Sequence, residues 1–240
     1  LREQIDGRSK ILIATSTPST ELAAFSRRYA IPLHVNPQRI DIATDWNFAL
    51  TVSQTTYVTL AHQDDVFAPS YVTQLSSALD RHTNANIAFC NYLEHTAQGP
   101  RNLTLNLKIK RFIIRLIFRS RECIVNSRDK RRLLSFGNPI CCPSVMLNRE
   151  LLGNLRFPSG FQTNLDWMAW LELARRPGGF VYVPECLVSK RIHSASETTA
   201  TIASLARERE DLTIFKSIWP SPIAATLATL YKLGYRANRT

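Results

Sequence analysis

Long apolar runs are missing from this 240-residue chain. The best candidate, Arg111 to Phe118, falls far short of the ~20 residues that cross a bilayer, and Arg115 interrupts it. The chain is therefore expected to be soluble or peripheral. Proline and glycine, at 12 and 8, are too few for a collagen-like or low-complexity chain. Cysteine is sparse and odd in number, with only Cys90, Cys123, Cys141, Cys142 and Cys186. Wide spacing and an odd count point to reduced thiols and a cytoplasmic setting. The adjacent Cys141-Cys142 lacks zinc-site spacing, and the 5 histidines do not complete such a site. Acids are also scarce, with 19 Asp and Glu against 30 Lys and Arg, for a net charge of +11. Most of that excess lies between Arg101 and Arg132, so one element is expected to attract an anionic partner.

What is present suffices for a core. Hydrophobic residues make up 45% of the chain and charged residues 20%, which excludes global disorder. Short apolar runs alternate with helical patterns. Strands are predicted at Lys10–Ala14, Ile31–Val35, Tyr57–Ala61, Ile87–Asn91, Pro143–Leu147 and Phe180–Val183. Helices are predicted at Glu21–Arg28 with Thr20 as cap, Trp46–Ser53, Pro69–Leu79 and Asn164–Arg176. Two more are predicted at Ala203–Ile218 and Ile223–Leu233. This alternation predicts an α/β fold with a mostly parallel, Rossmann-type sheet flanked by helices. Residues 1–200 form the expected main domain and 201–240 a helical extension.

The basic segment 101–132 changes period within itself. Leu103, Leu105, Leu107 and Ile109 alternate as in a strand. From Lys108 the cations Lys108, Arg111, Arg115 and Arg119 recur at helical spacing. Ile109, Phe112, Ile113, Leu116 and Ile117 form the opposing stripe. The pattern is a basic amphipathic helix, packed on the core with a solvated charged face or lying on an anionic membrane surface. Nucleic acid is the weaker alternative, because no recognition motif accompanies the charge.

Two features carry chemistry. Asp64-Asp65 follows the predicted strand Tyr57–Ala61, and ligands of parallel α/β sheets bind beyond the carboxyl ends of strands. Adjacent carboxylates repel unless a cation or hydrogen-bond donors compensate, and their oxygens suit Mg²⁺ or Mn²⁺. A solvated turn or a helix cap ahead of Pro69 is the plainer reading. Asp166, near the start of a predicted helix, reads either as a favourable partner of the helix dipole or as a base.

The runs Trp46-Asn-Phe-Ala-Leu50 and Tyr57-Val-Thr-Leu-Ala-His-Gln-Asp-Asp65, followed by Pro69, resemble the family 2 glycosyltransferases of GT-A fold. So do Gly137-Asn-Pro-Ile-Cys-Cys-Pro-Ser144, Phe161-Gln-Thr-Asn-Leu-Asp-Trp167 and Lys190-Arg-Ile-His193. The resemblance implies that Asp64 holds the metal and that Asp65 is the adjacent acid. His62 stands where the family has its first metal-motif Asp, as a softer metal ligand or as a contact to sugar or phosphate. Asn47 would help shape the sugar-nucleotide pocket, and Asp166 would be the catalytic base, with Leu165 replacing the usual acid before it. Arg191 and His193 fall on an Arg-x-His segment near the diphosphate. Thr15 and Ser16 occupy the place of the acids that bind the base in the family. Leu1–Asp6 matches the tail of a helix, so the resemblance implies a GT-A-like core that is N-terminally truncated.

The implied activity is inverting transfer of a sugar from a nucleotide-diphosphate sugar donor to a hydroxyl of a saccharide or lipid-linked saccharide acceptor. It implies Mg²⁺ or Mn²⁺ as cofactor and a role in cell-surface polysaccharide or glycolipid synthesis. The expected place is the cytoplasm, peripheral at the inner membrane face. A sugar nucleotidyltransferase, and a non-catalytic membrane- or nucleic-acid-binding module on a degenerate transferase fold, are the rival readings.

Overall fold

A computed structural model describes residues 1, 4, 9–96, 99–102, 104–191 and 206–236, with side chains in the last helix described as far as 232. The chain opens with a parallel pair, β1 (Ile13–Thr15) and β2 (Leu33–Val35), joined through α1 (Thr20–Tyr29). Ser19 rather than Thr20 caps α1, accepting from the Leu22 N–H at 3.1 Å. Asp41 caps α2 (Ile42–Val52), which therefore starts before the predicted Trp46. Next come β3 (Tyr57–Val58), β4 (Val66–Phe67), α3 (Tyr71–Arg81), β5 (Ala85–Thr96) and β6 (Gly99–Arg101).

The basic segment holds α4 (Leu105–Phe118), β7 (Cys123–Ile124) and α5 (Ser127–Leu134). No strand forms across 105–109. The Thr104 hydroxyl accepts from the Leu107 N–H and starts α4 there, while Leu103 lies outside the described residues. A 3₁₀ turn at Cys142–Ser144 leads into β8 (Val145–Asn148) and the short α6 (Arg149–Leu152). Then follow α7 (Leu165–Arg175), β9 (Gly179–Arg191), α8 (Ala206–Ile218) and α9 (Ser221–Arg236).

The main sheet corrects the expected topology. Its order is β3-β8-β5-β9-β4, with β6 added on β5 and β7 on β9. Only β5 and β9 pair in parallel; every other pairing in this sheet is antiparallel. The sheet is therefore mostly antiparallel, not the mostly parallel Rossmann sheet. Strands β3 and β5 do run the same way, as strand–helix alternation predicts, since both are antiparallel to β8. The later β8 inserts between them in the opposite direction.

Both faces of this sheet are covered. Ile87 and Phe89 of β5 join Val145, Leu147 and Phe180 in a core with Trp167 and Trp170 of α7, Leu133 and Leu134 of α5, and Phe118 of α4. Ala88, Cys90 and Tyr92 face the other way, onto Tyr71, Leu75 and Leu79 of α3. This period of two in a doubly buried strand explains why β5 reads as a continuous apolar run. Ile214 and Phe215 of α8 and Ala224 of α9 lie in the core around Trp167.

Candidate active site

A cleft of about 1830 Å³ opens along the sheet, and residues from distant parts of the chain line it. On one side is the turn between β3 and β4, which carries His62, Asp64 and Asp65. The β3 ladder ends at Val58, so the acids sit in this turn rather than at the last paired residue. Ligand atoms of the three residues lie within 4.8 Å of one another. His62 Nδ1 is 3.8 Å from Asp65 Oδ2, and the His62 ring stacks at 5.2 Å on Trp46 of α2. The Arg191 backbone N–H donates to Asp65 Oδ1 at 3.1 Å, so β9 fixes one carboxylate oxygen.

The electrostatics suit a divalent cation. Burial, helped by the Lys190 ammonium and opposed by Asp64, pushes His62 down to about 4 and leaves a ring nitrogen with an open lone pair at neutral pH. Burial and the neighbouring Asp64 raise Asp65 to about 6, against the pull of the Arg191 N–H. His62 Nε2 and Asp65 Oδ2 are buried and lack a hydrogen-bond partner among the described residues. Such orphaned acceptors are costly and are what a bound cation would satisfy. The residues present therefore fit a hard or borderline divalent ion.

Across the cleft, Asp166 occupies the first turn of α7. Its Oδ1 accepts from the Trp167 N–H at 2.7 Å and its Oδ2 from Asn138 Nδ2 at 3.0 Å. Burial raises its pKa above the ordinary carboxylate value; the Trp167 N–H and the cations Lys190, Arg207 and Lys110 oppose the rise. All three cations line the same cleft. Lys110 reaches it from α4, where its Nζ donates to the Tyr92 hydroxyl at 2.9 Å.

The N-terminus of α7 is held from the C-terminal helices. The Glu210 carboxylate of α8 accepts from the Gln162, Thr163 and Asn164 N–H groups at 2.5, 3.1 and 3.0 Å and from the Thr163 hydroxyl at 2.8 Å. Asp211 accepts from Asn164 Nδ2 at 2.9 Å. Sequence reasoning missed this clamp, although Glu210-Asp211 is a visible acidic pair.

The remaining sequence-predicted residues divide. Thr15 and Arg191 line the cleft with His62, Asp64, Asp65 and Asp166. Ser16 does not line it; its hydroxyl donates to Asp45 Oδ2 at 2.7 Å, while Asn36 Nδ2 donates to Asp45 Oδ1 at 2.8 Å. Asp45, which does line the cleft, was missed although it immediately precedes the Trp46-Asn47 run. Asn47 lines a separate cavity of about 470 Å³. Its amide makes two 2.9 Å hydrogen bonds with the Phe157 backbone. His193 lies outside the described residues. Lys190 immediately precedes Arg191 in the Lys190-Arg-Ile-His193 run, yet sequence reasoning assigned it no role.

No family model and no curated protein matches the chain. Solved structures do. The chain resembles Staphylococcus aureus TarS 1–349 in complex with UDP-GlcNAc with a TM-score of 0.58 at 10% identity, covering 91% of this chain and 61% of TarS 1–349. It resembles Mycobacterium tuberculosis glucosyl-3-phosphoglycerate synthase, bound to phosphoglyceric acid, with a TM-score of 0.53 at 14% identity. That match covers 86% of this chain and 72% of the synthase chain. The same enzyme with Mn²⁺ and UDP-glucose gives a TM-score of 0.52 at 13% identity, covering 86% and 67%. The chain thus spans about three fifths of the TarS fragment. The likeness establishes a shared fold, that of an α/β core found in nucleotide-sugar enzymes. Among the described residues no helix is long and apolar enough to cross a membrane.

Proposed function

We propose that the cleft transfers a sugar from a nucleotide-diphosphate sugar to a hydroxyl acceptor, with inversion at the anomeric carbon. One observation carries the reading: a cation-fitting His/Asp/Asp turn and a half-buried Asp166 with a raised pKa line the same cleft, on a fold shared with solved nucleotide-sugar enzymes. Asp64, with Asp65 and His62, would hold Mg²⁺ or Mn²⁺, which when bound offsets negative charge on the departing nucleoside diphosphate.

The chain's own groups do the rest. Asp166 takes the proton of the acceptor hydroxyl as that oxygen bonds to the anomeric carbon and the bond from this carbon to the phosphate oxygen breaks. The Trp167 N–H and Asn138 amide orient the carboxylate. Lys190, Lys110 and Arg207 provide positive potential for anionic substrate groups. Thr15 and the fixed Asp45 carboxylate face the cleft from the β1–α2 side, where they offer hydrogen-bonding groups to the donor's base. The resemblance of motifs supports cell-surface polysaccharide or glycolipid synthesis as the setting.

The test is incubation with a panel of nucleotide sugars, Mn²⁺ and simple saccharide acceptors, with products read by mass spectrometry. Release of nucleoside diphosphate with a glycosylated product supports the reading. Release of pyrophosphate would make the protein a nucleotidyltransferase. Salt-sensitive nucleic-acid binding with no donor turnover would overturn the enzymatic reading.

A further inference from the structure

The helix α4 turns an apolar stripe away from the protein. Leu105, Ile109, Phe112 and Leu116 are 68, 49, 64 and 58% exposed. Their spacing of 4, 3 and 4 puts them on one helical face, over about 16 Å of axis. The core is met by other residues of the same helix, Leu107, Ile114 and Phe118, which are buried. Of the sequence stripe Ile109, Phe112, Ile113, Leu116 and Ile117, only Ile113 and Ile117 pack against the core, so core packing does not account for the exposed Ile109, Phe112 and Leu116.

Charge defines what can cover the stripe. At 100° per residue, Lys108 and Arg115 fall along one shoulder of it, Arg119 follows at the C-cap of the helix, and all three are exposed. Arg111 is excluded from this set. It is tied inward, donating to the Tyr92 carbonyl at 2.8 Å and the Asn102 carbonyl at 3.1 Å. No acid occurs in the sequence between Glu94 and Glu122. The adjoining α5 adds exposed Arg128, Arg131 and Arg132. An apolar stripe with an acid-free basic shoulder has the composition of a helix lying in a membrane interface, where aliphatic and aromatic side chains enter the acyl boundary and cations meet anionic headgroups. A protein partner would need acids beside an apolar ridge; a nucleic acid offers nothing for four apolar side chains.

We infer that α4 docks the protein on an anionic lipid bilayer through Leu105, Ile109, Phe112 and Leu116, with Lys108, Arg115 and Arg119 against the headgroups. The opposite side of the same helix sends Lys110 into the cleft, so docking sets the cleft beside the lipid surface. The inference is independent of the proposed sugar transfer, because binding to vesicles requires neither donor nor acceptor.

Flotation of the full chain with phosphatidylglycerol/phosphatidylcholine vesicles tests it, with phosphatidylcholine vesicles alongside. The parent should float with the anionic vesicles and bind neutral ones at least tenfold more weakly. Combined Ile109→Gln, Phe112→Gln and Leu116→Gln should abolish flotation. Combined Lys108→Gln, Arg115→Gln and Arg119→Gln should weaken it on the order of 100-fold, from roughly fivefold per cation. These exposed positions should leave the melting temperature unchanged, which separates lost binding from lost folding. Absence of flotation by the parent at low salt would overturn the inference, as would undiminished flotation of the apolar triple variant. A parent dimer in light scattering that Phe112→Gln converts to monomer would assign the stripe to a second copy and also overturn it.

Discussion

Asp166 is held by one backbone N–H and one amide, and burial raises its pKa. A base works only when deprotonated, so activity should rise with pH through this raised value. The acid limb of the kcat/KM profile is expected above the ordinary carboxylate range near 3.8. Asp166→Asn should lower kcat by about 10²–10⁴-fold and leave donor affinity nearly intact. The linkage has a definite sign. Between the ordinary and raised pKa values the folded chain binds more protons than the unfolded one, so ionised Asp166 costs stability as pH rises. The Asn variant should therefore melt no lower than the parent at pH 7; near-parental kcat in a folded variant would remove Asp166 from the proton transfer. Asp64→Ala tests the other side of the cleft. Calorimetric titration with Mn²⁺ should show at least tenfold weaker binding, and unchanged affinity would take Asp64 out of the cation site. Both acids were legible in the sequence because each stands inside a recognisable run. Asn138 and Lys190 stand in such runs too, and Arg207 in none, but nothing in the sequence assigns any of the three a part beside Asp166, where only long-range folding brings them.

The element that positions Asp166 is α7, and its N-terminus depends on α8. Helix starts leave unsatisfied N–H groups, and here Glu210 accepts from three successive N–H groups and one hydroxyl just before the helix. Glu210→Gln turns one carboxylate oxygen into a donor that faces donors. A loss of about 1.5–3 kcal/mol is expected, read as a lower denaturant midpoint. Amide exchange at 162–164 should accelerate, and kcat should fall more than donor affinity. Unchanged exchange there would show that the clamp is dispensable. Lys130 does a comparable job at the opposite end of α7. Wholly buried, it donates to the carbonyls of Leu173, Arg176 and Gly178 at 3.3, 2.7 and 2.7 Å. Lys130→Met should cost roughly 2–4 kcal/mol by orphaning these carbonyls, measurable in urea unfolding. At this scale the sequence was a partial guide. Apolar periodicity located α3, α7 and the middle of β5. It missed α5, whose Ser-Arg-Asp-Lys-Arg-Arg opening is nearly all polar and whose buried contacts are Lys130, Leu133 and Leu134. It also misjudged which stripe of α4 meets the core, since both faces of that helix are apolar in part.

For the whole molecule, strand–helix alternation settles neither which strands become neighbours nor the direction of all of them: helices separate β8 from β5 and from β9, yet β8 runs opposite to both. β3 and β5 keep the predicted common direction, yet β8 enters between them from far along the chain, and no local pattern announces that register. The same non-local logic bears on the expected boundary near residue 200. Phe215 is buried at 1% exposure and meets Trp167 edge-on at 5.2 Å and Tyr231 at 5.7 Å. Trp167 also stacks at 5.8 Å on Tyr231, and its indole N–H donates to the Leu134 carbonyl at 3.1 Å. The side chains that would seal an independent C-terminal unit are thus spent on the helix carrying Asp166. We predict that residues 206–236 unfold with the sheet in one cooperative transition. Phe215→Ala should then remove about 3–5 kcal/mol and shift the entire melting curve by about 2–4 °C per kcal/mol. The shift should coincide in far-ultraviolet circular dichroism and in tryptophan fluorescence, which reports on Trp46, Trp167 and Trp170 and on Trp219 at the end of α8. A variant with two separated transitions, the earlier one small and the main one at the parental temperature, would establish 201–240 as an extension that folds by itself. Coincident curves instead make the C-terminal helices part of the scaffold that fixes Asp166, so truncation there would be expected to abolish folding and activity together.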